Sequence, residues 1–190
     1  MCHALLQDSR FFLLLQQIDT ELAAETRAVS CHHCGGTLHR ANYPRKPRCC
    51  PDDMRTNFES RFSFCCNHCR KRKTSVSVRF LGRRVYLGLA VVLMSAGRSQ
   101  STSGVAQLSE TLHVPAITIK RWRQWWVKQF PLTRLWQAAC ARFMPPIDLL
   151  LLPASLTERF AGSADESMRR ILLFLSPLTV GHPITLNEGC

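Results

Sequence analysis

Residues 66–73 read Cys66-Asn67-His68-Cys69-Arg70-Lys71-Arg72-Lys73, and residues 31–36 read Cys31-His32-His33-Cys34-Gly35-Gly36. In each stretch two residues separate a pair of cysteines. That spacing lets a tight turn aim both sulfurs at one point while backbone N–H groups face them. The glycines after Cys34 can take positive φ at little cost. Two such pairs supply four thiolates, a donor set that suits tetrahedral Zn²⁺. A closed four-thiolate site leaves no position for water, and no His-Glu-x-x-His or His-x-Glu stretch offers a general base. The expectation is one structural Zn²⁺ on Cys31, Cys34, Cys66 and Cys69, and no catalytic site.

Around these pairs the chain changes character. Seven of its ten cysteines fall between Cys31 and Cys69. The first residues have no basic start and no small-residue cleavage site, so clustered cysteines read as metal ligands rather than disulfides. Residues 40–53 carry three prolines and no hydrophobic period, which reads as a loop excursion between the pairs. Val76, Val78 and Phe80 alternate with polar residues, which predicts a short strand over 75–80. Such a unit has too few apolar residues to fold without a staple. Cys49, Cys50 and Cys65 are extra thiols whose role stays open. His32, His33, His39 and His68 read as exposed or supporting residues.

The net charge is +12 and it is concentrated. Thirteen basic residues face three acidic ones between positions 40 and 84, and seven face one between 98 and 142. A basic middle favours an anionic partner. Arg70, Lys71, Arg72 and Lys73 leave the second cysteine pair directly, and Arg79, Arg83 and Arg84 continue the run. A rigid turn bearing four consecutive cations is well placed to grip phosphates.

On either side the sequence reads as helix. Leu5, Phe12, Leu15, Ile18 and Leu22 recur at helical spacing and predict a helix over 4–27, as a cap on the next domain or a homodimer contact. Val85–Ala96 is a compact apolar helix. Val105–Leu112 and Ala116–Phe130 are two helices broken at His113-Val114-Pro115, the layout of a helix-turn-helix. Pro115 suits the first turn of the second helix. That helix would bury Ile119 and Trp122 and offer Thr118, Lys120, Arg121 and Gln124 to a DNA groove. The turn residue of such a motif takes positive φ, and His113 stands where glycine is usual. Short helices are expected at 154–160 and 166–175, and a disordered tail from 179. The apolar runs at 85–94 and 147–152 are far shorter than the roughly 20 residues a membrane crossing needs.

The stretches CHHCGG, CCNHCRKRKTSVSVRFLGRRVYLG and LHVPAITIKRWRQWW together resemble the DNA-binding region of bacterial insertion-sequence transposases, which joins a zinc ribbon to a helix-turn-helix. The resemblance covers roughly residues 31–130, and its ribbon ligands fall on Cys31, Cys34, Cys66 and Cys69. Such transposases continue into a large carboxylate-bearing catalytic domain. Only about 60 residues follow Phe130 here, and Asp148, Glu158, Asp165 and Glu166 have no strand pattern.

The expected fold class is therefore α+β, mainly α. An N-terminal helix (1–28) caps a zinc ribbon with a Pro-rich insertion (29–82). A helix-turn-helix domain (84–142), short C-terminal helices (143–178) and a tail (179–190) follow. The expected function is sequence-specific binding of double-stranded DNA as an accessory or regulatory protein of a transposable element, in the cytoplasm at the nucleoid. The transposase or integrase would be encoded nearby. The alternatives are a zinc-ribbon adaptor for such an enzyme, or a transposase fragment.

Overall fold

A computed structural model describes residues 2–81, 86–96, 110 and 113–180. The architecture is α+β and mainly helical, with two small antiparallel sheets. The expected helix Val105–Leu112 lies outside the described residues apart from Glu110, as do Arg83, Arg84 and residues 181–190.

Helix α1 spans Ser9–Ala28 rather than starting at residue 4. Asp8 stops it: its carboxylate accepts from the backbone N–H of Arg10 at 2.9 Å and of Phe11 at 3.4 Å. These N–H groups have no partner inside the helix, so an aspartate here fixes the start. Residues Cys2–Leu6 form a separate 3-10 turn whose Leu5 and Leu6 still reach the core. The buried side of α1 is Phe11, Phe12, Leu15, Asp19 and Ala23. Four of these five are apolar; Asp19 is not.

Two small sheets come next. Strands β1 (Leu38–Arg40), β4 (Ser63–Cys66) and β5 (Arg72–Thr74) form one sheet in the order β1-β4-β5. Strands β2 (Tyr43–Pro44) and β3 (Ser60–Arg61) form a second. The Pro-rich stretch is thus less of a loop than its composition suggests. It pairs through Tyr43, then turns into a 3-10 helix over Asp52–Phe58 that lies against α1. The Phe12 and Phe58 rings meet edge to face at 5.5 Å, a favourable aromatic geometry.

The strand predicted over 75–80 lies earlier, at Arg72–Thr74. Beyond it, Ser77, Val78 and Arg79 give their donors to Asp19 of α1. The backbone N–H groups of Ser77, Val78 and Arg79 go to Thr179 Oγ1, Asp19 Oδ1 and Ser77 Oγ, so none of the three is left to extend a ladder. Ser75, Ser77 and Arg79 are buried as well as Val78 and Phe80, so the polar half of the alternation faces no water either.

Helix α2 (Gly88–Ala96) is buried on every side through Ser95 and forms the centre of the helical layer. Tyr86 and Leu87, expected inside it, form β-bridges to Arg48 and Phe80 instead. Against α2 pack α3 (Ala116–Lys128), α5 (Ala154–Thr157) and α6 (Ala164–Leu175). Between α3 and α5 runs α4 (Arg134–Ala139). Tyr86 meets Trp122 at a centroid distance of 5.0 Å, and Phe130 meets Trp126 at 4.9 Å and Trp136 at 5.2 Å. Burying each such ring contributes about 1.5–3 kcal/mol. The Ser163 N–H bonds the Glu166 carboxylate at 3.1 Å and starts α6 two residues before the expected position. Thr179, expected in a disordered tail, is held instead. The Thr179 hydroxyl accepts from Arg61 at 3.1 Å and from the Ser77 N–H at 3.0 Å.

Apolar residues gather in two clusters. The large one runs from Leu5 to Leu175 and includes Phe11, Phe12 and Leu15 of α1. The small one holds Ala23, Cys31, Leu38, Phe64 and Cys66. Helix α1 therefore joins both and is more than a cap on one.

Candidate metal centre and basic surface

After α1 the chain turns sharply. Ser30 has φ +63° and Gly35 φ +69°. The Cys31 N–H bonds Gly36 O at 3.0 Å, and the Gly35 N–H bonds Cys31 O at 2.8 Å. The second pair repeats the turn: the Cys66 N–H bonds Lys71 O at 3.0 Å. Positive φ falls four residues after the leading cysteine in both, on Gly35 and on Arg70 (φ +59°). Gly36 serves a different need. A Cβ there would sit 2.8 Å from Cys66 Sγ and 2.9 Å from Asn67 Oδ1. Glycine lets the two turns touch.

The two turns bring Cys31, Cys34, Cys66 and Cys69 together, with all four Sγ atoms within 4.8 Å of one another. Cys31 lies 3.5 Å from Cys69, and Cys34 lies 3.4 Å from Cys66. Strand β1 pairs Leu38 with Cys66 and so locks one turn to the other. Cys31 and Cys66 are buried, Cys69 is half-buried and Cys34 is exposed. The four sulfurs can hold one metal ion.

Their electrostatics point the same way. The backbone N–H of His33 leads the effects that lower the Cys31 thiol below its ordinary value. Burial pushes the Cys66 thiol up, but the backbone N–H groups of Cys69 and His68 outweigh it and bring it to about 6. At Cys69 the Lys71 backbone N–H pulls down, yet burial and the neighbouring sulfurs win and push it up to about 12. Sulfurs this close cannot all ionise unless a cation sits among them.

The other thiols do not join. Cys65 points away, its Sγ donating to Arg70 O at 3.4 Å. Cys49 and Cys50 pack against the large apolar cluster. Burial pushes their thiols to about 12 and about 11. Replacing Cys49 and Cys50 together by serine is therefore expected to leave the metal-to-protein ratio unchanged by elemental analysis, whereas a lost equivalent would place them in the site. His32, His33, His39 and His68 are all exposed and outside the cluster.

Of the expected nucleic-acid contacts, Arg70, Lys71 and Arg72 are exposed and Lys73 is half-buried. On α3, Ile119, Trp122 and Trp126 face the core while Lys120, Arg121 and Gln124 are exposed and Thr118 is half-buried. His113 has φ +50°, the conformation expected of the turn residue. Pro115 precedes α3 as its N-cap.

Arg79 is a correction. It is 1% exposed and faces no solvent. Its Nε donates to Asp19 Oδ2 at 2.7 Å, and Nη1 donates to Asn57 O at 2.7 Å. Its guanidinium lies 4.9 Å from the Phe62 centroid and 5.1 Å from that of Phe58. A cation so enclosed has no phosphate to meet. Arg61, also buried, approaches the same carboxylate at 4.0 Å and donates to Ser75 O at 2.6 Å. Burial lowers the Arg61 guanidinium from its ordinary value, and Asp19 works against that shift. Sequence reasoning passed over this network. Its one signal was Asp19 standing four residues from both Leu15 and Ala23 on the apolar side of α1.

The C-terminal carboxylates are occupied locally. Asp148 accepts from the Leu150 N–H at 2.9 Å, Asp165 from the Ser163 hydroxyl at 2.6 Å, and Glu166 from the Ser163 N–H. Among the described residues no helix is long and apolar enough to cross a membrane. No protein-family model matches the chain, and no curated protein or solved structure shows significant similarity to it.

Proposed function

We propose that this chain is a zinc-stabilised protein that binds double-stranded DNA, serving a transposable element as an accessory or regulatory component rather than as its catalyst. The observation that carries the reading is the four-sulfur cluster whose second turn opens directly into Arg70–Lys73. Zn²⁺ at about 2.3 Å from four sulfurs needs them about 3.8 Å apart. Separations of 3.4 and 3.5 Å, with the whole set inside 4.8 Å, suit that geometry. The metal fixes the turn, the turn fixes the cations, and the cations hold phosphates. Base reading falls to the exposed side of α3, where Arg121 or Lys120 can address guanine and Gln124 adenine. The helix-terminal use of Asp148, Asp165 and Glu166 supports a role without strand cleavage.

Duplex affinity should fall as salt rises. Four phosphate contacts give a slope of log affinity on log salt near −3.6. Replacing Lys120, Arg121 and Gln124 by alanine should erase discrimination between DNA sequences while leaving the fold intact. Tight binding that ignores salt would sink the proposal.

A second reading, an adaptor for a separate enzyme, draws on exposed Met144, Leu149, Leu150 and Leu151. It predicts that the same triple variant keeps all its DNA affinity and specificity.

A further inference from the structure

The segment from Arg40 to Arg48 holds Arg40, Arg45, Lys46 and Arg48 and no acidic residue. Its charge lies far in sequence from Arg70–Lys73, yet the fold places the two together. Strands β1 and β5 flank β4, with His39 opposite Cys65 and Cys65 opposite Arg72. Cross-strand partners share a face, so the outer face of this sheet carries His39, Cys65 and Arg72. From there Arg72 reaches the hairpin. Its Nη1 donates to Ala41 O at 3.0 Å, and its guanidinium lies 5.9 Å from the Tyr43 centroid. Arg45 lies 4.8 Å from the same centroid.

The far end of the segment reaches the helices. Arg48 Nη1 donates to the Tyr86 hydroxyl at 3.3 Å, and Arg48 forms a β-bridge with Tyr86. Tyr86 in turn packs edge to face on Trp122 of α3 at 5.0 Å. One short basic segment thus touches the sheet next to the metal centre at one end and the aromatic support of α3 at the other.

Resting on the DNA-binding reading above, we propose that residues Arg40–Arg48 form a phosphate-gripping bridge. With Arg72 they join the metal-held turn and α3 into one continuous contact with the nucleic-acid backbone. Three features carry this. First, the bridge is stiff: Pro44 and Pro47 fix φ, and the Arg45 N–H bonds Glu59 O at 2.6 Å. Second, the Arg45 and Arg48 guanidiniums are pre-oriented by Tyr43 and Tyr86, so less side-chain entropy is lost on binding. Third, the neighbouring carboxylates are engaged elsewhere, Asp52 by Arg55 and Asp53 by Ser9. A membrane surface fits less well. Among the described residues from 30 to 116 none is an exposed large hydrophobic, so neither the segment nor the metal-held turn carries an apolar side chain of its own to insert.

The test uses Arg40→Gln with Lys46→Gln in the full metal-loaded chain. Both residues are exposed, and neither side chain makes a polar contact among the described residues. Fluorescence anisotropy on duplexes of differing sequence, titrated with salt, gives the affinity slope. Loss of two phosphate contacts lowers that slope by about 1.8. Affinity should fall equally for all sequences, because such contacts read none. A parent chain that binds DNA beside a double variant of unchanged slope overturns the bridge alone. A parent chain that binds no DNA overturns the reading beneath it as well. Anionic phospholipid vesicles, run in parallel, should bind neither protein; retention of the parent and not the variant would assign the segment to a membrane and overturn the proposal.

Discussion

Replacing Asp19 by alanine is expected to destabilise the folded chain by about 3–5 kcal/mol, read as a lower urea midpoint with an unchanged slope. The carboxylate is fully buried and takes donors from Ser77, Val78 and Arg79. Removing it strands two guanidiniums, Arg79 and Arg61, in an enclosed space. Breaking a buried pair by deleting one partner costs far more than the pair contributes, because the remaining charge cannot be rehydrated. Asparagine at the same place keeps an acceptor but not the charge. It should fall nearly as far as alanine if charge dominates, and recover most of the loss if hydrogen bonding does. A change below about 1 kcal/mol for Asp19→Ala would mean that water reaches the network.

The second large effect concerns the sulfur cluster. Cys66→Ser, or removal of a bound metal by a chelator, should unfold the three-stranded sheet while the helical layer stays structured. Thiolate binding of Zn²⁺ contributes on the order of 10 kcal/mol in small zinc domains. The cluster beneath the site has five buried residues, and two of them, Cys31 and Cys66, belong to the four sulfurs that can hold a metal. Ala23, Leu38 and Phe64 cannot sustain the three-stranded sheet alone. Amide exchange should therefore quicken across residues 31–40 and 63–74 and remain slow in α2, α3 and the Asp52–Phe58 turn that packs in the large cluster. Acid should act like the chelator. Binding requires thiolates, so the stabilisation is present at neutral pH and is lost as falling pH protonates the ligands. Slow exchange kept in strands β1, β4 and β5 without metal would show that their sheet is self-supporting.

How much of this was visible in the chain depended on range. The four cysteines stood out because each turn is local: two residues separate the sulfurs, and Gly35 supplies the expected positive φ, whereas Gly36, read the same way, serves the close approach of the two turns. The exposed residues of α3 were also legible, since helical periodicity separates Ile119, Trp122 and Trp126 from Lys120, Arg121 and Gln124. His113 was readable as a departure from glycine, and its backbone adopts the positive φ that glycine would supply. The failures are long-range. Asp19 meets Arg79 across 60 positions, and nothing local announces such a partner. That one pairing explains three misreadings: Arg79 taken for a surface cation, residues 75–80 taken for a strand, and α1 taken for a simple cap. The Pro-rich segment misled by composition. Three prolines argue for a loop, but Tyr43 still found a partner in Arg61.

The ion pair between residues 19 and 79 also has a consequence for the order of assembly. It closes a loop of 60 residues, and the entire sulfur cluster lies inside that loop. Cys31 and Cys69 are 38 positions apart. Once a metal ties them, the path from residue 19 to residue 79 shortens to about 22 residues. Because closure entropy grows with the logarithm of length, that shortcut lowers the cost of bringing the carboxylate to its arginine by about 0.9 kcal/mol. A chain that captures its metal early thus finds its core pairing several times more readily than one that must close the long loop first.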